Sequence, residues 1–424
     1  MPIRSLKINA VWKKAALVIA GAACVLASWY VSKWGMANSA AGRIDDADVA
    51  TYLTHLAPDD PQTHYAAAVL LEKSFDQDNI RRALNELEIA TALAPENYLF
   101  WLDLGRARER DGDAEGAERA LRRALELAPN YSRVQWALGN SLLRQGRIEE
   151  AFGEIKKAVA SDPVAFANPA AATAWQFFDG DIAAIRRAVG DSARFDGSLA
   201  GLLAREKRFD EAMEIWRGLS PEEKKDSLRE TGTTLAGKML EGKKFRYARE
   251  ALADLDDKDA GPQIGQIANG GFEGAVKPEG AGPFEWQINP GLQPQIVLSN
   301  GQKHGGNNSL LFIFNSGDGK DFRSVSQLVA VEPAASYELE IFYRSDLKTS
   351  AAFKWEVVDA ADGKQIAVSD AIANRAEWSP LRVKFKSPIA SDGVVVRLVR
   401  EGCGQICPVA GSLWFDDVAL RIER

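Results

Sequence analysis

Three spacings of apolar residues succeed one another along the chain, and each predicts a different kind of element. From Ala15 to Ser32 the residues run AALVIAGAACVLASWYVS without a charge. As a helix rising about 1.5 Å per residue this run spans roughly 27 Å, close to the thickness of a bilayer core. Over residues 44–258 apolar residues, many of them Ala, recur at helical spacing and are punctuated by Gly and Pro. Beyond residue 268 the period drops to two, in SLLFIF from Ser309, YELEIFY from Tyr337, FKWEVV from Phe353, LRVKFK from Leu381, VVVRLV from Val394 and SLWFDDVAL from Ser412. Turn dipeptides (Asp318-Gly319, Asp362-Gly363, Asp392-Gly393) separate these runs, as in an antiparallel sandwich. The pattern predicts a multidomain chain: a basic tail over 1–14, an apolar spanning helix over 15–34, an all-α array over 44–258, a Gly/Pro linker over 259–268, and an all-β jelly-roll sandwich of eight or more strands over 269–424.

The helical region repeats itself. Pro95, Pro129 and Pro163 are 34 residues apart, and so are Ala83, Ala117 and Ala151, Ala90, Ala124 and Ala158, Gly105 and Gly139, and Gly112, Gly146 and Gly180. Such a register predicts a helix–turn–helix unit: one Gly admits close helix approach, the next turns the chain, the Ala positions pack under the following unit, and Pro stops the second helix. The words Trp101-x2-Leu104-Gly105, Ala117-x3-Leu121, Ala124 and Pro129 resemble the tetratricopeptide repeat, with Arg108 where that family carries Tyr. Flanking units show Ala83, Leu87, Ala90 and Pro95 before, and Leu138, Gly139, Ala151, Ile155, Ala158 and Pro163 after, and weaker units follow around Phe178-Asp179-Gly180, Phe209/Ala212/Trp216 and Phe245/Ala248/Leu252. The resemblance implies a curved solenoid whose first helices line a partner groove. The matching inward positions are Leu99, Leu102, Arg106, Glu109 and Arg110, then Arg133, Trp136, Asn140 and Arg144. Ala68 and Glu72 stand where some members grip a C-terminal carboxylate; Arg106, Arg110, Arg133 and Arg144 are expected either to form a basic stripe or to be ordinary solvated positions.

The β region carries a second series of words: Asn269-Gly-Gly-Phe272-Glu273, Phe284-x-Trp286, His304-Gly-Gly-x2-Ser309-Leu310, Val331-x-Pro333-x3-Tyr337, Glu377-Trp378 and Trp414-Phe415-Asp416-Asp417-Val418-x-Leu420. In this order they resemble the CenC-like carbohydrate-binding modules of families four and nine. The resemblance implies a sugar-binding jelly roll and a structural calcium held by Glu273 with Asp416 or Asp417. Strand alternation, with Val418 and Leu420 inward, turns Asp416 inward and Asp417 outward; calcium or a hydrogen-bonding partner is then expected to satisfy it. Sugars stack on aromatic faces, and the glycan candidates are Phe342, Arg344 and Trp355, while Trp286 and Trp378 fall on words expected in the core. Tyr337 and Tyr343 share the face of Leu339 and Ile341.

Charge fixes an expected topology. The chain of 424 residues has a net charge of −7, but residues 1–34 hold Arg4, Lys7, Lys13, Lys14 and Lys33 and no acid, leaving −12 for the remainder. Four cations precede the apolar run and one follows, with Trp12, Trp29, Tyr30 and Trp34 at its ends. The positive-inside rule then puts the N-terminus in the cytoplasm and the body in the periplasm of a bacterial inner membrane. A cleaved signal peptide ending near Val25-Leu26-Ala27 is the alternative. An acidic body excludes nucleic acid as the main partner. In an oxidising compartment Cys403 and Cys407 are expected to form a disulfide, and Cys24 to be a small residue of the spanning helix.

Little in the sequence predicts catalysis. Three His are present, Gly232-TTLA-Gly237-Lys238 lacks both the Ser/Thr and the preceding strand of a phosphate loop, and Ser345-x2-Lys348 lacks companion motifs. The expected function is that of a non-enzymatic, membrane-anchored scaffold holding a protein partner in the solenoid and a glycan on the sandwich, in polysaccharide assembly or export. The alternatives are a purely protein-binding scaffold, and a glycan-modifying enzyme with a site within 164–200.

Overall fold

The computed structural model describes residues 10–73, 76–256, 263–317, 321–401 and 407–423. Its contacts divide the chain into two compact units, Met1–Phe195 and Asp196–Arg424, a division that falls within the helical stretch.

The first unit opens with α1 (Val11–Ala41), 31 residues long and apolar enough to cross a bilayer. Leu17, Ile19, Val25, Leu26 and Trp29 are exposed, whereas the far end packs: Ala37 and Ala41 are buried against Leu53, Ala57 and Ala66. Among the described residues the array is made by α2 (Ala47–Leu56), α3 (Pro61–Leu71), α4 (Gln77–Leu93), α5 (Tyr98–Asp111), α6 (Ala114–Leu127), α7 (Ser132–Arg144) and α8 (Ile148–Ser161), continued by α9 (Pro163–Phe177) and α10 (Ile182–Val189). Asn38 Nδ2 donates to Asp60 Oδ1 at 2.9 Å, and the same Asp60 caps α3 by accepting from Thr63 N, so α1 is keyed to the array.

The 34-residue register has a direct physical basis. A Cβ at Gly105 would lie 2.6 Å from Leu121 Cγ, and one at Gly139 2.8 Å from Ile155 Cγ1, so only Gly permits these helix pairs to approach. Gly112, Gly146 and Gly180 sit at φ +89°, +76° and +72°, the left-handed region that ends a helix and reverses the chain. Ala83, Ala90, Ala117, Ala124, Ala151 and Ala158 are all fully buried.

The second unit carries α11 (Ala193–Arg205), α12 (Phe209–Arg217), α13 (Pro221–Lys225), α14 (Arg229–Glu241) and α15 (Phe245–Ala253). Trp216 on α12 is fully buried and its Nε1 donates to Asp254 at 2.9 Å. The first turn of α15 is capped from a distant loop: Asp392 accepts from Phe245 N at 2.9 Å and Arg246 N at 3.3 Å, and Arg246 pairs with Glu332 at 2.9 Å.

Among the described residues ten strands follow: β1 (Gln287–Ile288), β2 (Gln295–Ser299), β3 (Ser309–Ser316), β4 (Val325–Ala330), β5 (Ser336–Ser345), β6 (Ala352–Asp359), β7 (Gln365–Val368), β8 (Arg375–Lys386), β9 (Gly393–Glu401) and β10 (Val409–Ile422). They form two antiparallel sheets, β1-β4-β9-β6-β7 and β2-β3-β10-β5-β8. From β3 to β10 successive strands alternate between the sheets except at the β6-β7 hairpin, which stays in one sheet, an order close to that of a jelly roll. The inner faces enclose one core, in which Phe272, Phe312, Tyr337, Leu339, Ile341, Phe353, Trp355 and Phe415 are almost entirely inaccessible. Tyr343 also lies in this core, as alternation with Leu339 and Ile341 predicts.

Candidate functional site

The inward positions of the repeats lie on α5 and α7, but they do not make a basic stripe. Arg110 pairs with Glu72 at 2.6 Å, Arg106 with Asp103 at 3.2 Å, and Arg144 with Glu109. Tyr65 Oη adds a bond to Asp103 at 2.7 Å, and burial with this carboxylate raises the Tyr65 phenol. These three arginines and three carboxylates line one cavity of about 690 Å³. Two of the neutralising acids come from the repeat before, Glu72 for Arg110 and Glu109 for Arg144, and the third, Asp103, lies one turn before Arg106 on α5 itself. Arg133 is exposed, Leu102 is buried, Trp136 packs on Phe166 with ring centroids 5.1 Å apart, and Asn140 Nδ2 bonds Trp136 O at 2.9 Å.

On the sandwich, cross-strand partners share a face. Trp414 of β10 pairs with Leu311 of β3 and Arg344 of β5, and Asp416 pairs with Phe342. Phe415 between them faces the core, so this set occupies the outer face of the β2-β3-β10-β5-β8 sheet. There the His304 ring stacks on Phe342 with centroids 3.8 Å apart and meets Trp378 edge-on at 5.9 Å. The Arg344 guanidinium lies 5.9 Å from the Trp414 ring. Trp414 Nε1 is inaccessible to bulk water and has no acceptor among the described residues, which leaves an unmatched donor on this face.

Of the glycan candidates, Phe342 and Arg344 belong to this face and Trp355 does not. Trp355 is fully buried between Trp286 and Phe415, 6.0 and 5.1 Å away by ring centroids, and cannot meet a ligand. The word Glu377-Trp378 misled in the opposite sense: Trp286 is core, but Trp378 is half-buried on the outer face. Trp414 was missed as a candidate although alternation with Phe415 puts it outside.

Of the three carboxylates expected to hold calcium, Asp416 and Glu273 are met by backbone N–H groups and Asp417 by the His304 ring. Asp416 Oδ2 accepts from His304 N at 2.7 Å and Gly305 N at 3.0 Å, and its Oδ1 accepts from Asp417 N at 2.8 Å. Glu273 Oε1 accepts from Asn307 N at 2.6 Å and Asn308 N at 2.9 Å, and Oε2 from Asn307 Nδ2 at 3.1 Å. Asp417 Oδ2 meets His304 Nδ1 at 2.6 Å. The 304–308 backbone therefore aims N–H groups at the lone pairs a cation would need, and this arrangement does not fit calcium. Backbone hydrogen bonds from Asn307 and Asn308 hold Glu273 below the usual carboxylate range, while burial pushes Asp416 up despite its three N–H partners.

Asp416 is buried, but not by alternation. A bulge between Asp416 and Ala419, with Asp417 at φ +44°, shifts the phase of β10, so Leu413 and Phe415 face the core before it and Val418 and Leu420 after it. Asp416 thus lies on the outer side, covered by the His304–Gly305 loop. Of the cysteine pair, Cys407 is buried and Cys403 lies outside the described residues.

Comparison with known proteins agrees with the repeat register. Residues 75–132 and 110–166 match the family model of the tetratricopeptide repeat, a protein-interaction repeat. No curated protein matches the chain. Among solved structures, a carbohydrate-binding module of family four (CBM4) is 15% identical, with 37% of this chain and 99% of that chain covered at a TM-score of 0.29. TmCBM61 in complex with beta-1,4-galactotriose is 18% identical, covering 37% of this chain and 96% of that chain at a TM-score of 0.27. A thermophilic TPR protein in Thermus thermophilus is 22% identical, covering 28% of this chain and 64% of that chain at a TM-score of 0.25.

Proposed function

We propose that this chain is a non-enzymatic, membrane-anchored adaptor with its body in the periplasm of a bacterium, holding a protein partner in the α5/α7 groove and a glycan on the outer sandwich face. The reading rests chiefly on that face, where Trp378 and Trp414, the Phe342–His304 stack and Arg344 stand together. Ring faces offer the apolar side of a pyranose a stacking surface, while the Arg344 guanidinium suits its hydroxyls. Support for the anchor is the exposed apolar half of α1 and the cations that precede it. A chain that ties a membrane, a protein and a glycan together fits polysaccharide assembly or export.

Affinity electrophoresis of the chain in detergent through gels holding neutral or anionic polysaccharides tests the reading. Retardation by at least one of them is expected. None by any would leave the solenoid as the working surface and favour a scaffold that binds protein alone.

A further inference from the structure

A second cavity, of about 500 Å³, opens between α8 and α10, in the layer of second helices and away from the α5/α7 positions. Its floor is apolar, built from Phe152, Phe178 and Ala184, with Gly153 beside them. Phe152 and Phe178 meet with ring centroids 4.9 Å apart. Lys156, Arg187 and Glu149 form the rim. Neither Lys156 nor Arg187 has a carboxylate partner among the described residues, and Arg187 bonds only Ala183 O. Glu149 is seven residues from Lys156 along α8, about 10 Å away at the helical rise.

The repeat before shows what this place otherwise holds. Between α6 and α8, 34 positions earlier, Glu118 stands for Phe152, Arg122 for Lys156, Arg147 for Asp181 and Glu150 for Ala184. There the groove is closed by an ion-pair network: Glu118 with Arg147 and Arg122, each at 2.7 Å, and Glu150 with Arg147 at 2.6 Å and Arg122 at 3.5 Å. In the α8/α10 groove both carboxylates are gone, an aromatic floor has replaced one of them, and Lys156 keeps its charge without its partners. Asp181 does not supply one, since it caps α10 through Ala184 N.

We infer that the α8/α10 groove is a second docking surface, which takes an apolar side chain flanked by carboxylates from an acidic segment of a protein partner. The carboxylates stand in for Glu118 and Glu150, and the apolar side chain covers Phe152 and Phe178. The inference is independent of the glycan reading and of the α5/α7 groove.

Gly153 gives the test a sharp handle, because a Cβ there meets nothing within 4 Å. A larger side chain fills the groove without a clash and replaces a poor helix former. Calorimetric titration of the full chain would use a twelve-residue peptide with one central tryptophan among aspartates and glutamates, and a twin with lysines in place of the acids. The acidic peptide is expected to bind at least tenfold more tightly than the lysine twin. Gly153→Leu should weaken it tenfold or more while the melting temperature stays level or rises, a pairing that loss of fold does not produce. The double variant Lys156→Glu with Arg187→Glu should reverse the preference. Equal binding of the two peptides, no binding of either, or full affinity in Gly153→Leu would overturn the proposal.

Discussion

The groove of the repeats and the outer face of the sandwich are both polar surfaces, and they differ in who satisfies them. In the groove each of three arginines finds a carboxylate on a neighbouring position, as Arg110 does with Glu72. On the sheet backbone N–H groups meet Asp416 and Glu273 and the His304 ring meets Asp417, while Arg344, near the Phe342–His304 stack, has no carboxylate partner among the described residues. A surface that closes its own pairs says little about its ligand, since a partner must compete with interactions already made. A surface of ring faces beside a cation without an acid partner names the chemistry it lacks. The α8/α10 groove belongs with the second kind, because Lys156 has lost the acids that its counterpart Arg122 keeps in the α6/α8 groove.

The contrast can be sharpened from the most tightly satisfied places downward. Gly139→Ala drives a methyl against Ile155 Cγ1 at 2.8 Å and Ala151 O at 3.1 Å. It should cost about 1–3 kcal/mol of stability by urea unfolding; no change would mean that the repeat interior yields. Asp392→Ala removes the cap from two N–H groups of α15 and should cost about 1–2 kcal/mol. Glu72→Gln breaks an exposed pair, so its effect on stability should stay below about 1 kcal/mol. The same change frees Arg110, and the groove should then retain anionic probes that the native chain lets pass.

The smallest effects concern the carboxylate loop. Glu273 titrates lower folded than unfolded, so its contribution is complete above the ordinary carboxylate range and is lost as pH falls through its depressed value. Glu273→Gln should flatten the acid side of a melting-temperature profile and leave neutral pH nearly untouched. Addition of a chelator at neutral pH should leave the melting temperature where it was, since N–H groups occupy the carboxylate lone pairs. A clear drop on chelation would restore calcium to this loop.

How much of this was legible depended on whether the chain's periodicity was kept. The 34-residue register and all six named runs of alternating residues appear as helical pairs and as strands β3, β5, β6, β8, β9 and β10, because each element repeats a packing requirement at fixed spacing. Strands such as β2, half exposed at the sheet edge, carried no such signal. Site features failed where the period breaks or where partners are far apart in sequence. The bulge at Asp417 changed which side Asp416 faces, the acids that neutralise Arg110 and Arg144 lie 38 and 35 residues away, and Trp355 and Trp378 exchanged the places their neighbouring words implied. The capping of α15 by Asp392, 147 residues on, leaves no mark on local pattern.

On this reading the outer sandwich face binds a hydroxyl-rich ligand through its rings and the Arg344 guanidinium. The most direct measurement compares polysaccharide retardation of the native chain with Arg344→Ala, which keeps the rings and removes the guanidinium, and with Trp378→Ala, which removes a ring. The account predicts a partial loss for the first, a loss of tenfold or more for the second, and unchanged far-ultraviolet dichroism for both. Retardation that persists undiminished in both variants would contradict it.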